Sequence, residues 1–229
     1  MITGGGYHGI FLTHGSHDIR IENNRVFDNH RIRPMTSHAE IKGSGRGDPP
    51  WNILLQGNEI FHTMHPPGSN FQGIDCNFCT GFHVRGNHIH DIKRPTGFDY
   101  AYYDRGSCLQ FKSNSENILI QGNRIERCHI GIVLGGEGLA SPENIGGIVR
   151  GNVVSDAEDI GLAIVNARDF QVHGNRIAGR RKAILLAKDG RFPEGTNTGT
   201  IEDNDLSHEP VGPDDVDVRL RGNRILDPR

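Results

Sequence analysis

Residues 118–125 read Ile118-Leu119-Ile120-Gln121-Gly122-Asn123-Arg124-Ile125, and the same pattern returns along the whole chain. Aligned on the asparagine, it recurs as IRIENNRV (Asn24), ILLQGNEI (Asn58), FHVRGNHI (Asn87), GIVRGNVV (Asn152), FQVHGNRI (Asn175), GTIEDNDL (Asn204) and VRLRGNRI (Asn223). Three residues before each Asn stand Ile21, Leu55, Val84, Ile120, Val149, Val172, Ile201 and Leu220. Two residues after stand Val26, Ile60, Ile89, Ile125, Val154, Ile177, Leu206 and Ile225. Every one of these positions is aliphatic in a chain that is only 34% hydrophobic, so composition alone does not produce the pattern. Apolar and polar residues alternate before each Asn, which reads as a strand with one buried face. The Asn then falls at a corner, because Asn tolerates left-handed backbone and its amide bonds neighbouring backbone groups. A Gly precedes the Asn in all copies but those of Asn24 and Asn204 and eases the same corner. Stacked from copy to copy, the asparagines can bond one another as a ladder.

Successive asparagines are 34, 29, 36, 29, 23, 29 and 19 residues apart, so the shorter steps approximate a bare coil and the longer ones carry insertions. A second strand can be placed upstream of most copies. Its members are Gly9–Leu12, Gly73–Cys76, Cys108–Phe111, Gly131–Leu134, Gly161–Ile164 and Ala183–Leu186, with His38–Ile41 a weaker one. Two strands per coil with short corners predict an all-β, right-handed parallel β-helix of about eight coils, a single domain over residues 1–229. The spacing and side chains do not fit a leucine-rich repeat. No long 3.6-residue apolar period is present, so helix content should be low. The 31 glycines and modest hydrophobic content suit a solenoid, whose coils need only a narrow inward apolar row and many tight corners. Neither end carries a recognisable cap, which reads as a piece of a longer protein or one capped by a partner, with a short natural chain as the alternative.

A net charge of −3 and a pI near 6.5 argue against a nucleic-acid partner that depends on phosphate neutralisation. No stretch approaches the roughly 20 apolar residues of a membrane span. Met1–Gly6 has neither a charged nor an apolar leader segment; because the chain begins in mid-repeat, a piece without its leader would read the same. Cys76, Cys79, Cys108 and Cys128 are too few for a disulfide framework in a chain of this length. Buried free thiols are the expectation, with a disulfide or a metal as alternatives.

The I-x-I-x-x-N-x-I units, with G-I-x-hydrophobic strands between them, resemble the pectate-lyase-like β-helix superfamily from about Gly9 to Ile225. The resemblance implies the fold. It leaves function open, since that superfamily spans polysaccharide lyases, hydrolases, uronate epimerases, tail spikes and non-enzymatic surface proteins.

Outward residues of the upstream strand should stack into columns about 4.8 Å apart. They read Phe11 and Thr13, then Glu40 and Lys42, Asp75 and Asn77, Gln110 and Lys112, and beyond them Val133, Ala163, Val165, Leu185 and Ala187. The face is thus charged over the second to fourth coils and apolar afterwards. The long insertions 30–50, 62–71 and 93–105 flank those coils, and the last holds Tyr100, Tyr102, Tyr103, Asp99, Asp104 and Arg105. Aromatic faces stack on sugar rings and cations pair with uronate carboxylates, so an acidic polysaccharide is the expected partner. C5 proton abstraction by a lyase or epimerase needs a cation, for which Lys112, Arg105 and Lys42 are candidates. It also needs proton-exchanging groups, for which Tyr102, Tyr103 and His65 are candidates. Asp75 or Glu40 could instead hold Ca²⁺, the one cofactor considered. A hydrolase would pair two carboxylates from Asp75, Asp99, Asp104 and Glu40. Tyr100, Asp104, Glu40, Lys42, Gln110 and Asn77 complete the candidate binding residues. His88 and His90 point outward together but lack a third metal ligand in the sequence. The remaining alternative is a non-catalytic glycan-binding or structural solenoid, and the expected location is extracellular or periplasmic.

Overall fold

The computed structural model describes residues 1–29, 37–64, 70–94, 106–136, 139–212 and 217–226. Among them there is no helix, and every strand pairing is parallel. Three sheets run the length of a right-handed coil. Sheet 1 has seven strands, from Ile10–Thr13 to Lys182–Ala187. Sheet 2 has eleven, including His17–Glu22, Trp51–Gln56 and Asp217–Arg221, and sheet 3 has nine short ones, from Ile2–Thr3 to Arg224–Ile225.

Each coil therefore has three strand positions where two were expected. The difference arises at the asparagine corner. The residue before each ladder Asn has positive φ in every copy: Asn23 (56°), Gly57 (64°), Gly86 (58°), Gly122 (64°), Gly151 (61°), Gly174 (63°), Asp203 (55°) and Gly222 (64°). That left-handed residue breaks the run into a sheet 2 strand before the Asn and a sheet 3 strand after it. It also explains why only Gly, Asn and Asp occupy the position.

The ladder is continuous. Each Asn from Asn24 to Asn204 donates its backbone N–H to the Oδ1 of the next ladder Asn at 2.9–3.1 Å. From Asn58 onward, each Nδ2 also donates to a backbone carbonyl one coil back, as Asn123 does to Val84 at 2.9 Å. The aliphatic positions on either side are buried except Leu220 and Ile225 in the last coil, which are exposed.

The weaker strand expected at His38–Ile41, within the insertion 30–50, is a full sheet 1 strand, Ser37–Ser44. The cysteines are not free. Cys76 is bonded to Cys79 and Cys108 to Cys128, and all four sit fully buried in the core. Sequence spacing could not reveal the second pair, which links a sheet 1 strand to the corner one coil later.

Candidate functional site

Sheet 1 supplies the outward columns. Its register aligns Phe11, Lys42, Asp75, Gln110, Val133, Ala163 and Leu185 in one column. Thr13, Ser44, Asn77 and Lys112 form the beginning of a second. The expected register holds except in the second coil, where it is displaced by two residues. Glu40 is not exposed beside Lys42; within the sheet 1 strand Ser37–Ser44 its side chain is buried against Asn29 of the preceding corner. There its carboxylate accepts from Asn29 Nδ2 at 2.6 Å and Asn29 N at 3.1 Å, and His62 Nε2 lies 3.1 Å away. In the strand Ser37–Ser44 it is Lys42 that stands between Phe11 and Asp75, in the place expected for Glu40, and Ser44 stands between Thr13 and Asn77, in the place expected for Lys42. Glu40 and Asp75 therefore do not form a shared carboxylate site for Ca²⁺ or for hydrolysis.

Lys42, Asp75, Gln110 and Lys112 do come together. Lys42 Nζ is paired with Asp75 Oδ2, and Lys112 Nζ lies 3.6 Å from Asp75 Oδ1. Lys112 Nζ also donates to Gln110 Oε1 at 3.3 Å, an oxygen that accepts a second bond from Gln72 Nε2 at 2.6 Å. Gln110 Nε2 in turn donates to the carbonyls of Gly135 and Gly136 at 3.2 and 3.0 Å. The amide is thus held from both ends, and its oxygen is aimed at the lysine. Burial would push the Asp75 carboxyl up, but the ammonium groups of Lys112 and Lys42 outweigh it and hold it below the usual carboxylate range. Asp75 is an ionised anchor for two cations and is unsuited to act as a general acid. With both its oxygens facing ammonium groups, it is also a poor Ca²⁺ ligand.

Asn77 accepts from Ser113 Oγ at 2.9 Å beside this network. Phe11, one coil below Lys42 in the same column, is 55% exposed, with the His8 ring tilted against it at 5.3 Å. Past Gln110 the columns turn apolar as expected. Ile130, Val133, Ile160, Ala163, Val165, Leu185 and Ala187 form a second buried cluster, separate from the core, and so are not open surface. His65, Tyr100, Tyr102, Tyr103, Asp104 and Arg105, with Asp99, lie outside the described residues.

Two polar features were missed in the sequence. Gln72, buried in the strand Asn70–Asn77 opposite Ala39, joins the network through its bond to Gln110. A cleft of about 250 Å³, lined by Arg94, His129, Glu158, Asp159, Arg180 and Arg181, lies where sheet 3 turns into sheet 1. Burial holds the His129 imidazole below its ordinary value against the pull of Asp159 and Glu158. These residues come from corners of successive coils, and no linear motif joins them.

A solenoid of three parallel sheets, an asparagine ladder and a polar patch on one face define the class, and a family profile agrees. The profile described as "Right handed beta helix region" matches residues 8–191, and the chain belongs to that family. Among solved structures, the chain is similar to the periplasmic alginate epimerase AlgG, at 14% identity and a TM-score of 0.57, covering 95% of this chain and 62% of that one. Two mutants of the same enzyme match at 14% and 13% identity, each with a TM-score of 0.56, covering 94% and 95% of this chain and 62% of theirs. The chain thus spans about three fifths of the length of these structures. No curated protein matches the sequence.

Proposed function

We propose that sheet 1 binds an acidic polysaccharide along the Phe11–Lys42–Asp75–Gln110 column and acts on it by C5 proton abstraction, as a uronate lyase or epimerase. The observation that carries this reading is the convergence of Lys42 and Lys112 on Asp75. Two ammonium groups fixed by one carboxylate form a preorganised cationic patch of the kind a uronate carboxylate pairs with, and the pairing strengthens as the enediolate develops. Phe11 stacks a neighbouring sugar ring, and Gln110 and Asn77 orient hydroxyls. Tyr102, Tyr103 and His65 supply proton exchange, Arg105 adds a cation, and Tyr100 and Asp104 complete the binding surface. The similarity to a periplasmic alginate epimerase supports a uronate polymer as substrate. Two buried disulfides favour an oxidising, periplasmic or extracellular setting.

One observation favours the non-catalytic reading. Among the described residues, the two outward columns contain no Tyr or His, so a phenol or imidazole for proton exchange would have to come from outside them. Incubation with a panel of polyuronates separates the readings. Unsaturated product marks a lyase, and solvent deuterium retained at C5 without chain cleavage marks an epimerase. Reducing ends without unsaturation indicate a hydrolase, and binding without any of these products removes the enzyme reading.

A further inference from the structure

Sheet 3 carries a second constellation. In sheet 3, Glu59 of one coil stands directly opposite His88 of the next, and Phe61 opposite His90. One ligand atom from each of Glu59, His88 and His90 lies within 4.8 Å of the other two. Among the described residues, this is the one grouping of three or more potential metal ligands.

The surroundings hold each group in a ligating state. His90 Nδ1 lies 2.6 Å from Asp91 Oδ2, so with Nδ1–H donating there the neutral ring has a lone pair on Nε2 to offer a metal. That Nε2 is buried, makes no hydrogen bond and faces Glu59 Oε1 at 3.5 Å. A lone pair and a carboxylate oxygen repel unless a positive charge sits between them. The His90 ring is fixed in plane by Phe61, with centroids 4.9 Å apart and an interplanar angle of 5°, and Phe61 stacks in turn on Phe27 at 4.7 Å. His88 Nε2 lies 3.0 Å from Glu126 Oε1, an arrangement that frees Nδ1. Glu59 is held through its other oxygen, Oε2, by Arg25 Nε at 2.5 Å. Each ligand thus has an outer partner that sets its tautomer or orientation, as in metal sites generally.

We propose that Glu59, His88 and His90 bind a divalent transition metal of the Zn²⁺ type, independently of the sheet 1 site. Two imidazoles and one carboxylate form a borderline donor set, better matched to Zn²⁺ than to the all-oxygen preference of Ca²⁺. Metal–ligand bonds of about 2.0–2.1 Å imply ligand atoms roughly 3.3 Å apart in a tetrahedron, close to the existing His90–Glu59 separation. The third ligand is His88, whose ligand atom lies within 4.8 Å of the other two and whose side chain is 35% exposed, so it is free to close on an ion.

The test is Zn²⁺ titration of the untagged protein by calorimetry, with Co²⁺ absorption as a report on tetrahedral nitrogen and oxygen ligation. Wild type should take up one Zn²⁺ per chain at micromolar or tighter affinity. His90→Asn and Glu59→Gln should each weaken binding at least about 10-fold, and Asp91→Asn, which touches no metal, about 10- to 100-fold through His90. Circular dichroism and Tm in the absence of metal identify which variants remain folded, and Glu59→Gln, on the surface, serves if His90→Asn does not. Failure of wild type to bind stoichiometrically would overturn the proposal and leave a proton between His90 and Glu59. Binding unchanged in a folded Glu59→Gln or His88→Asn variant would overturn it equally.

Discussion

Asn123 shows what one ladder residue contributes. Its Oδ1 accepts from Asn87 N and Nδ2, and its own N and Nδ2 donate to Asn152 Oδ1, with Nδ2 also reaching Val84 O. Asn123→Ala orphans several of these buried groups, each at about 1–3 kcal/mol. The expected loss is at least ~3 kcal/mol, seen calorimetrically as a Tm lower by about 6–12 °C. Half-buried Asn24, at the start of the ladder, should lose less on the same change. Gly122 separates backbone strain from space: a Cβ there would meet nothing within 4 Å, yet its φ is +64°. Gly122→Asn should be nearly neutral, while Gly122→Val costs about 1–2 kcal/mol by denaturant titration. These residues were legible in the sequence because their roles are local and repeated in every copy. Glu40 was not. Its inward turn depends on Asn29 and His62, which share no spacing with it in the chain.

At the scale of the element, the three sheets answer to different physics. Sheet 1 tolerates a polar network because each member is bonded, and its inward column is tight. A Cβ on Gly43 would sit 2.8 Å from Cys79 Sγ and still closer to Cys76 Sγ, so Gly43→Ala should destabilise by displacing that disulfide. Sheet 3 is an ion-pair surface. Arg127, aided by His90, holds the Asp91 carboxyl at about 2 against burial. Burial would raise Glu126, but Arg124, Arg127 and His88 bring it to about 2 as well. Both folded values lie below the usual carboxylate range near 4, so their stabilisation is complete above that range and is lost as pH falls towards 2. Tm should be level from neutrality down to about pH 5 and fall below about pH 4.5, with Glu126→Gln flattening the acid limb. A pH profile as steep in that variant as in wild type would remove Glu126 from the account. The columns of sheet 1 could be read from period-two alternation. Sheet 3 could not be separated in advance, because its strands are as short as Arg224–Ile225 and the corner residue hides the break.

For the whole molecule, stacking in one dimension means that covalent links between coils matter beyond their neighbourhood. The Cys108–Cys128 bond closes a separation of 20 residues and should contribute about 3 kcal/mol, more than Cys76–Cys79 with its separation of 3. Reduction should therefore lower Tm by about 6–12 °C, most of it reproduced by Cys108→Ser/Cys128→Ser alone. The architecture was legible because a solenoid writes itself once per coil. The candidate site was legible only in part, since Lys42, Asp75, Gln110 and Lys112 follow the repeat, whereas Gln72 and the corner arginines do not. The central claim is that the paired lysines on sheet 1 recognise the carboxylates of a polyuronate. The most direct measurement is affinity for an acidic polyuronate and for its neutral methyl ester, in wild type and in Lys42→Met and Lys112→Met. The acid should bind over the ester, with a loss of about 10- to 100-fold in each variant, the range of one charge-assisted bond. Equal affinity for acid and ester, or folded variants that bind as wild type does, would contradict it.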